Sequence, residues 1–382
     1  MDSLYKNLYD LVAIPSITRT KEEIEIVIYI KELLESILKQ NTNNSWITIN
    51  IEKVEEKDEN WNFHWWIICN IKVSDNFDTI WLLWHLDIVP VNKSKWKKPI
   101  FKMTEEDDRI YGRGSCDMKA WVAIMIEILK ESLRKNPNKN ISLIFTSWEE
   151  CWIPNWLTEI IKSEKIWWLD FIIALEPTWW KINTWVFWYL DWEFTFKWKS
   201  CHSSRPSLWN NAIHKTCNLL NYLQNPKIIS LVEYYWEFIE EALSATYISW
   251  WIAPNIIPDT CTVRINHRYW PKRNWKLVEE WFQKIMKEVW AESFKILEHD
   301  PASWIVDWNN YMLKDFINRT KLNSSTLNVV SFWSDISQTS SIGIPSINFW
   351  PWDISQAHTD DEFLMKDSFE KTYVQFINYL FD

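Results

Sequence analysis

Glycine is almost missing from this chain: 3 of 382 residues, where average usage is about 7%. Tryptophan, ordinarily among the rarest residues, occurs 32 times. A protein of this length needs glycine wherever the backbone turns with positive φ or passes too close to another segment for a Cβ. Several tryptophans stand where such glycines are expected: Trp179-Trp180 after Pro177-Thr178, Trp209 before Asn210-Asn211, and Trp350-Pro351-Trp352-Asp353. The pattern reads as glycine encoded by UGA in a genetic code that decodes it so; tryptophan is what a different code yields from the same gene. Trp96, between Lys95 and Lys97, is the first candidate for a genuine indole. With indoles throughout, the tight positions should show strained backbone or displaced loops.

Other absences narrow the class. The six cysteines (Cys69, Cys116, Cys151, Cys201, Cys217, Cys261) show no CxxC and no paired spacing, so they read as reduced thiols of a cytoplasmic protein. No apolar run approaches the ~20 residues of a membrane span, which excludes a membrane partner of that kind. No basic run is interleaved with aromatics and the net charge is −10, which argues against nucleic acid. Residues 1–17 read as an amphipathic helix carrying Leu4, Leu8, Leu11 and Val12, not as a signal peptide. The acidic and basic run at 52–60 reads as a solvated face. Neither repeats nor low-complexity segments occur.

What is present is an alternation of strands and helices. Residues 66–73, 79–85, 141–147 and 171–177 are strand-like apolar runs, and helical periodicity marks 21–39 and 118–134. Such alternation predicts an α/β sheet with helices on both faces. From about 187 the character changes. Residues 192–199 and 261–269 alternate with period two, with helical stretches at 211–222 and 275–289, as in a small α+β insertion. An α/β pattern then returns, with a helix at 309–319 and a strand at 346–350.

Five acidic or histidine sites fall at or just beyond predicted strand ends, where open α/β sheets place ligands. His85 and Asp87 are two apart, so both can face one side of an extended segment, and a nearby carboxylate suits a metal-binding imidazole. Asp117 starts a predicted helix. Glu149 and Glu150 follow a strand together, where one can bind metal while the other takes a proton from water. Glu176 ends another strand, and His358 precedes Asp360, Asp361 and Glu362. Taken singly, each has a plain structural explanation: a satisfied core histidine, a helix N-cap at Asp117, a solvated turn at the paired glutamates. Together, His85, Asp117, Glu150, Glu176 and His358 suit two zinc ions with one bridging carboxylate. Glu149 is left as general base.

With glycine restored for tryptophan, these stretches read GHLDIVP, YGRGSCDMKAG, TSGEE, LEPTGG, HSSRPSLGNNAIH and FGPGDISQAHTDDEF. As an ordered set they resemble the M20 family of co-catalytic zinc amidohydrolases and peptidases over nearly the whole chain. The resemblance implies a mixed-sheet α/β zinc-hydrolase catalytic domain, 1–186 and 298–382, with an inserted smaller α+β domain, 187–297, serving as lid and dimerisation domain. It implies two Zn2+ per subunit, with Co2+ able to substitute. His85 and Glu176 would bind one, Glu150 and His358 the other, and Asp117 would bridge. Glu149 would be the base and Asp87 would orient His85. His202 resembles a histidine that reaches the active site of a neighbouring subunit in a homodimer. Asn255 and Arg268 resemble residues that bind the substrate carboxylate, with Arg264, on the same strand face, an open alternative.

The implied substrate is a small N-acyl amino acid. The expectation is the branch that hydrolyses N-succinyl-LL-2,6-diaminopimelate, with an acetylornithine deacylase or a dipeptidase or carboxypeptidase as alternatives. A non-catalytic homologue should have lost a ligand or the base, and all six positions are filled. The chain departs from the family pattern at Ala120, where glycine is usual, and at Trp84, Trp121 and Trp148.

Overall fold

The computed structural model describes residues 1–382 apart from 41–47, 58–62, 148, 152–159, 161–168, 176–177, 179, 205–210, 225–230, 235–236, 251–252, 271–273, 301–305, 323–326 and 331–342. The chain forms two compact units. The first takes in Met1–Thr184, Trp304–Asn328 and Ser341–Asp382; the second takes in Trp185–Ser303 and Val329–Ser340.

Two amphipathic helices open the first unit. Helix α1 (Asp2–Val12) buries Leu4, Leu8, Leu11 and Val12, and α2 (Lys21–Lys39) buries Ile26, Val27, Ile30, Leu34 and Ile37. Apolar residues at three-to-four spacing produce both stripes. Strands β1 (Thr48–Lys57), β2 (Phe63–Lys72), β3 (Thr79–His85), β4 (Thr104–Glu106) and β5 (Arg109–Tyr111) follow. Helix α3 (Lys119–Ser132) is apolar nearly all round and is buried from Lys119 to Leu129, as a central helix must be. Then come β6 (Asn140–Thr146), β7 (Phe171–Ala174) and β8 (Ile182–Val186).

The second unit holds β9 (Trp188–Lys197), β10 (Cys201–His202), α4 (Ala212–Gln224), β11 (Leu231–Tyr234), β12 (Glu237–Glu240), β13 (Ala242–Ser249), β14 (Ile256–Ile257), β15 (Thr260–Tyr269), α5 (Trp275–Glu288) and β16 (Ser293–Asp300). The chain returns through α6 (Tyr311–Thr320), β17 (Leu327–Val330), β18 (Ser346–Phe349), β19 (Phe363–Met365) and α7 (Lys366–Phe381).

An eight-stranded mixed sheet runs in the order β1-β2-β6-β3-β7-β18-β8-β17. Its centre is parallel: β6 with β3, β3 with β7, and β7 with β18. The flanking pairs β1/β2, β2/β6 and β18/β8 are antiparallel. The four parallel strands are buried along their whole length, which is why they read as unbroken apolar runs. Parallel strands end at the same edge of a sheet, so the loops after β3, β6, β7 and β18 leave together.

The second unit has its own antiparallel sheet, β13-β15-β9-β16. On β15, Cys261, Val263, Ile265, His267 and Tyr269 are buried, while Arg264, Asn266 and Arg268 alternate with them on the other face. The buried residues join Trp192, Phe194, Val278 and Phe282 in a core between sheet and helices.

Residues 52–57 of the charged run belong to β1, paired with β2 at the sheet edge, where charge discourages pairing with another chain. One sequence expectation is corrected. Asp117 is not the N-cap of α3; Met118 is.

The tryptophans give a divided result. Trp66, Trp81, Trp84, Trp121 and Trp192 sit in regular strand or helix backbone and neither Trp350 nor Trp352 has a positive φ, so the expected backbone strain is not found at these positions. It is found at Trp180 (φ 61) and Trp290 (φ 62), in the left-handed region that bulky residues avoid. Trp290 closes α5: its N–H reaches the Lys287 carbonyl at 3.4 Å and the Ala291 N–H reaches the Met286 carbonyl at 2.9 Å. That is a Schellman ending with tryptophan in the glycine position. A second anomaly is chemical. The indole N–H groups of Trp66, Trp81, Trp84, Trp96, Trp121, Trp188, Trp192, Trp350 and Trp352 are buried without a hydrogen-bond partner among the described residues, although a buried indole normally finds one.

Candidate metal centre

Each side chain of the site comes from a loop at the shared edge of the parallel strands or beside it. His85 is the last residue of β3 and Asp87 follows it. The strand β6 ends at Thr146, and a short 3-10 turn carries Glu149 and Glu150. Asp117 lies between β5 and α3, and His358 lies in the loop after β18. These residues span most of the sequence, and the strand order is what gathers them.

Asp117 stands at the centre. Its Oδ1 is 3.3 Å from His85 Nε2, and its Oδ2 is 3.4 Å from His358 Nε2. One carboxylate thus turns one oxygen toward each imidazole. On the His358 side, Glu150 Oε2 lies 2.9 Å from Nε2. On the His85 side, Glu149 Oε2 lies 3.8 Å from Nε2. Candidate ligand atoms of His85, Asp117 and Glu150 all lie within 4.8 Å of one another. The Glu149 side chain is the more open of the glutamate pair, 16% exposed against 5% for Glu150.

Asp87 holds this arrangement in an unexpected way. His85 Nδ1 contacts the backbone carbonyl of Asp87 at 3.0 Å, and the nearer carboxylate oxygen is 3.6 Å away. The carboxylate instead accepts the backbone N–H groups of Glu149 (3.2 Å) and Glu150 (3.1 Å). Asp87 therefore ties the end of β3 to the turn after β6.

The electrostatics are those of a cation site. Burial opposes charge on His85, but Glu149, Asp117 and Asp87 outweigh it and hold the imidazole well above its ordinary 6.5. Contacts with Asp117 and Glu150 push His358 up to about 10. Burial opposes ionisation of Asp117, yet the two histidines hold it below the usual carboxylate range. Burial and the neighbouring Asp117 charge push Glu150 up. Glu150 Oε1 is buried with no hydrogen-bond donor among the described residues. Imidazole nitrogens and carboxylate oxygens around an orphaned acceptor form a donor set that fits zinc or a similar divalent ion.

Glu176 lies outside the described residues, as do Trp148 and Trp179. His202, Asn255 and Arg268 belong to the second unit. His202 is on β10 with Nδ1 2.8 Å from Ser204 Oγ, and it pairs in register with Ile256, beside Asn255, whose carbonyl accepts the Ser203 N–H at 2.9 Å. Arg268 lies with its guanidinium carbon 4.2 Å from the Tyr189 ring centroid and donates to Asn266 at 3.0 Å. Arg264 donates to Glu193 at 3.0 Å.

Four buried indoles form a row: Trp84–Trp121, Trp121–Trp352 and Trp350–Trp352 have ring centroids 5.0, 5.4 and 5.5 Å apart. Sequence reasoning did not single out Glu362 or Lys119. Both are buried, and the Lys119 ammonium donates to the Ile14 carbonyl at 2.6 Å.

Residues 81–380 match the family model for peptidase family M20/M25/M40. The putative succinyl-diaminopimelate desuccinylase of Mycobacterium tuberculosis (strain CDC 1551 / Oshkosh) is 27% identical over 280 residues, which are 73% of this chain and 75% of that protein. Among solved structures, the M20 family metallo-carboxypeptidase Sso-CP2 from Sulfolobus solfataricus matches with a TM-score of 0.76 at 18% identity, over 99% of this chain and 98% of that one. The YXEP protein of Bacillus subtilis, described as a dinuclear metal binding peptidase from the M20 family, matches with a TM-score of 0.66 at 15% identity, over 99% and 96%.

Proposed function

The chain belongs to peptidase family M20/M25/M40 and is a metal-dependent hydrolase; we propose that it removes succinate from N-succinyl-LL-2,6-diaminopimelate, a step of lysine and diaminopimelate synthesis in the cytoplasm. The observation that carries the reading is the Asp117 carboxylate, with one oxygen toward each of two imidazoles. The relative from Mycobacterium tuberculosis supports the choice of acyl group.

His85, Asp117, Glu150 and His358, with Glu176 as the remaining ligand, would hold two zinc ions, with Co2+ as a substitute. Such ions acidify water and draw charge from an amide carbonyl. Glu149 removes the proton of the attacking water and later delivers it to the leaving amine. Asp87 keeps Glu149 and Glu150 in place through their backbone N–H groups. His202 of a second copy donates to the developing oxyanion, so the enzyme works as a homodimer through the inserted unit. Arg268, with Asn255, is assigned to the substrate carboxylate, with Arg264 on the same strand face as the alternative.

Metal analysis followed by parallel assays on N-succinyl-diaminopimelate and N-acetylornithine tests this. Two equivalents of zinc, preference for the succinyl substrate, and a Glu149→Ala variant that keeps its metal but loses turnover are expected. Equal rates, or activity on acetylornithine alone, would overturn the substrate. Loss of metal together with turnover in the variant would make Glu149 a ligand.

We propose also that the working protein carries glycine at most of its tryptophan positions, Trp84, Trp121, Trp350 and Trp352 among them. The orphaned indole N–H groups, the left-handed Trp180 and Trp290, and the positive φ of Gly112, Gly114 and Gly343 support this.

A further inference from the structure

Glu362 closes the acidic triplet after His358, and a run of acids on a loop is ordinarily solvated. Here the third acid is fully buried, 0% exposed. Its Oε1 accepts the backbone N–H groups of Cys116 (2.8 Å) and Asp117 (2.9 Å). Its Oε2 accepts Arg113 Nη1 (2.7 Å) and the Gly114 N–H (3.0 Å). The Glu362 carbonyl also accepts the Gly112 N–H at 3.1 Å. The backbone N–H groups of Gly112, Gly114, Cys116 and Asp117 and the Arg113 guanidinium thus all end on one residue. Asp361, beside it, accepts the N–H groups of Lys97 and Lys98 at 2.8 Å each, so two acids of the triplet tie neighbouring loops together.

We propose that Glu362 is the positioning residue that fixes the bridging carboxylate of Asp117 relative to His358. The two residues come from segments on either side of the second unit in sequence. Glu362 is four residues from His358 and bonded to the N–H of Asp117 itself, so it joins the two loops directly. Its charge is matched by Arg113, which is 3% exposed, and charge-assisted bonds to backbone N–H groups are among the stronger and more directional ones. Partners that hold a metal ligand in place commonly set metal affinity.

The role makes a sharp demand on chemistry. Both carboxylate oxygens face only donors. A glutamine of the same shape has one acceptor oxygen and one NH2, so it must turn N–H toward N–H on one side and leave Arg113 buried without its counter-charge. An isosteric change is therefore expected to be damaging.

The inference rests on the reading of Asp117 and His358 as metal ligands, and the test separates the two. Metal-free wild-type and Glu362→Gln proteins, full length, are titrated with Co2+ and followed by visible absorption, with circular dichroism and thermal midpoint recorded alongside. Wild type should take up two equivalents. The variant, still folded at the titration temperature, should bind at least one of them about 10–100-fold more weakly and show a changed cobalt spectrum. Wild-type affinity and spectrum in the folded variant would overturn the inference alone, whatever the thermal midpoint does. Failure of wild type to bind cobalt would overturn the metal-centre reading and this inference with it. Should the glutamine variant not fold, Glu362→Asp keeps the charge but shortens the arm: an altered cobalt spectrum and weaker binding support the role. An unaltered spectrum, or failure of both variants to fold, assigns Glu362 to folding and overturns it.

Discussion

At the residue scale, the site is a balance between buried carboxylates and the positive charge that satisfies them. Without metal, that charge is protons on His85 and His358. His358 is raised from 6.5 to about 10, so its contacts stabilise the metal-free fold fully below pH 6.5, and that stabilisation is lost as pH rises through 10. Metal must displace these protons. Calorimetric titration at pH 7 in buffers of different ionisation enthalpy should therefore show proton release on binding, with affinity falling as pH is lowered. Binding without proton release would contradict the assignment of the histidines. The side chains that gather here, His85, Asp117, Glu150 and His358, could be picked out in the sequence because each sits at or beyond a strand end in a short ordered motif. Glu362 could not: nothing in Asp360-Asp361-Glu362 tells which acid turns inward. The spacing of His85 and Asp87 pointed to their contact, and the Asp87 carboxylate does lie 3.6 Å from His85 Nδ1; its bonds to the Glu149 and Glu150 N–H groups have no sequence signal, because they join segments far apart in the chain.

At the scale of elements, continuous apolar runs announced the parallel strands, and three-to-four periodicity announced α1 and α2. The strand β3 spans 79–85 as expected because every residue of it is buried. Short strands such as β4, β5 and β19 carry three residues each, too few for any period to show. The helix α7 is obscured by Thr372 and Gln375 within its buried stripe of Phe369, Phe376, Tyr379 and Leu380. Helix α1 matters more than its terminal place suggests: Leu8 is 0% exposed, and Ser3 and Asn7 both donate to Glu127 of α3 at 2.7 Å. Leu8→Ala should cost about 2–5 kcal/mol by denaturant unfolding. A loss below about 0.5 kcal/mol, the range of ordinary surface changes, would mean that α1 is not part of the core.

At the scale of the whole molecule, the tryptophans dominate. An orphaned buried N–H costs about 1–3 kcal/mol, and a folded protein holds only about 5–15 kcal/mol in reserve. With Trp96 set aside, eight such groups among the described residues weigh heavily against that reserve. The protein purified from its own cells should therefore have an intact mass well below 46.5 kDa, with UGA at most tryptophan positions of the gene. A mass of 46.5 kDa, or UGG at those positions, would sink the idea. Glycine would replace the row of buried indoles, let α5 end at residue 290 without strain, and leave the motifs intact.

The position of β18 has a consequence for how the molecule is made. This strand, Ser346–Phe349, lies between β7 and β8, both of which precede it in sequence by more than a hundred residues. During synthesis the place between β7 and β8 stays open until residues 346–349 have left the ribosome. His358 and Glu362 emerge later still. The contacts of His358 with Asp117 and Glu150, and those of Glu362 with the segment 112–117, are therefore among the last of the site to form, after β3 and β6 have already placed His85 and the glutamate pair.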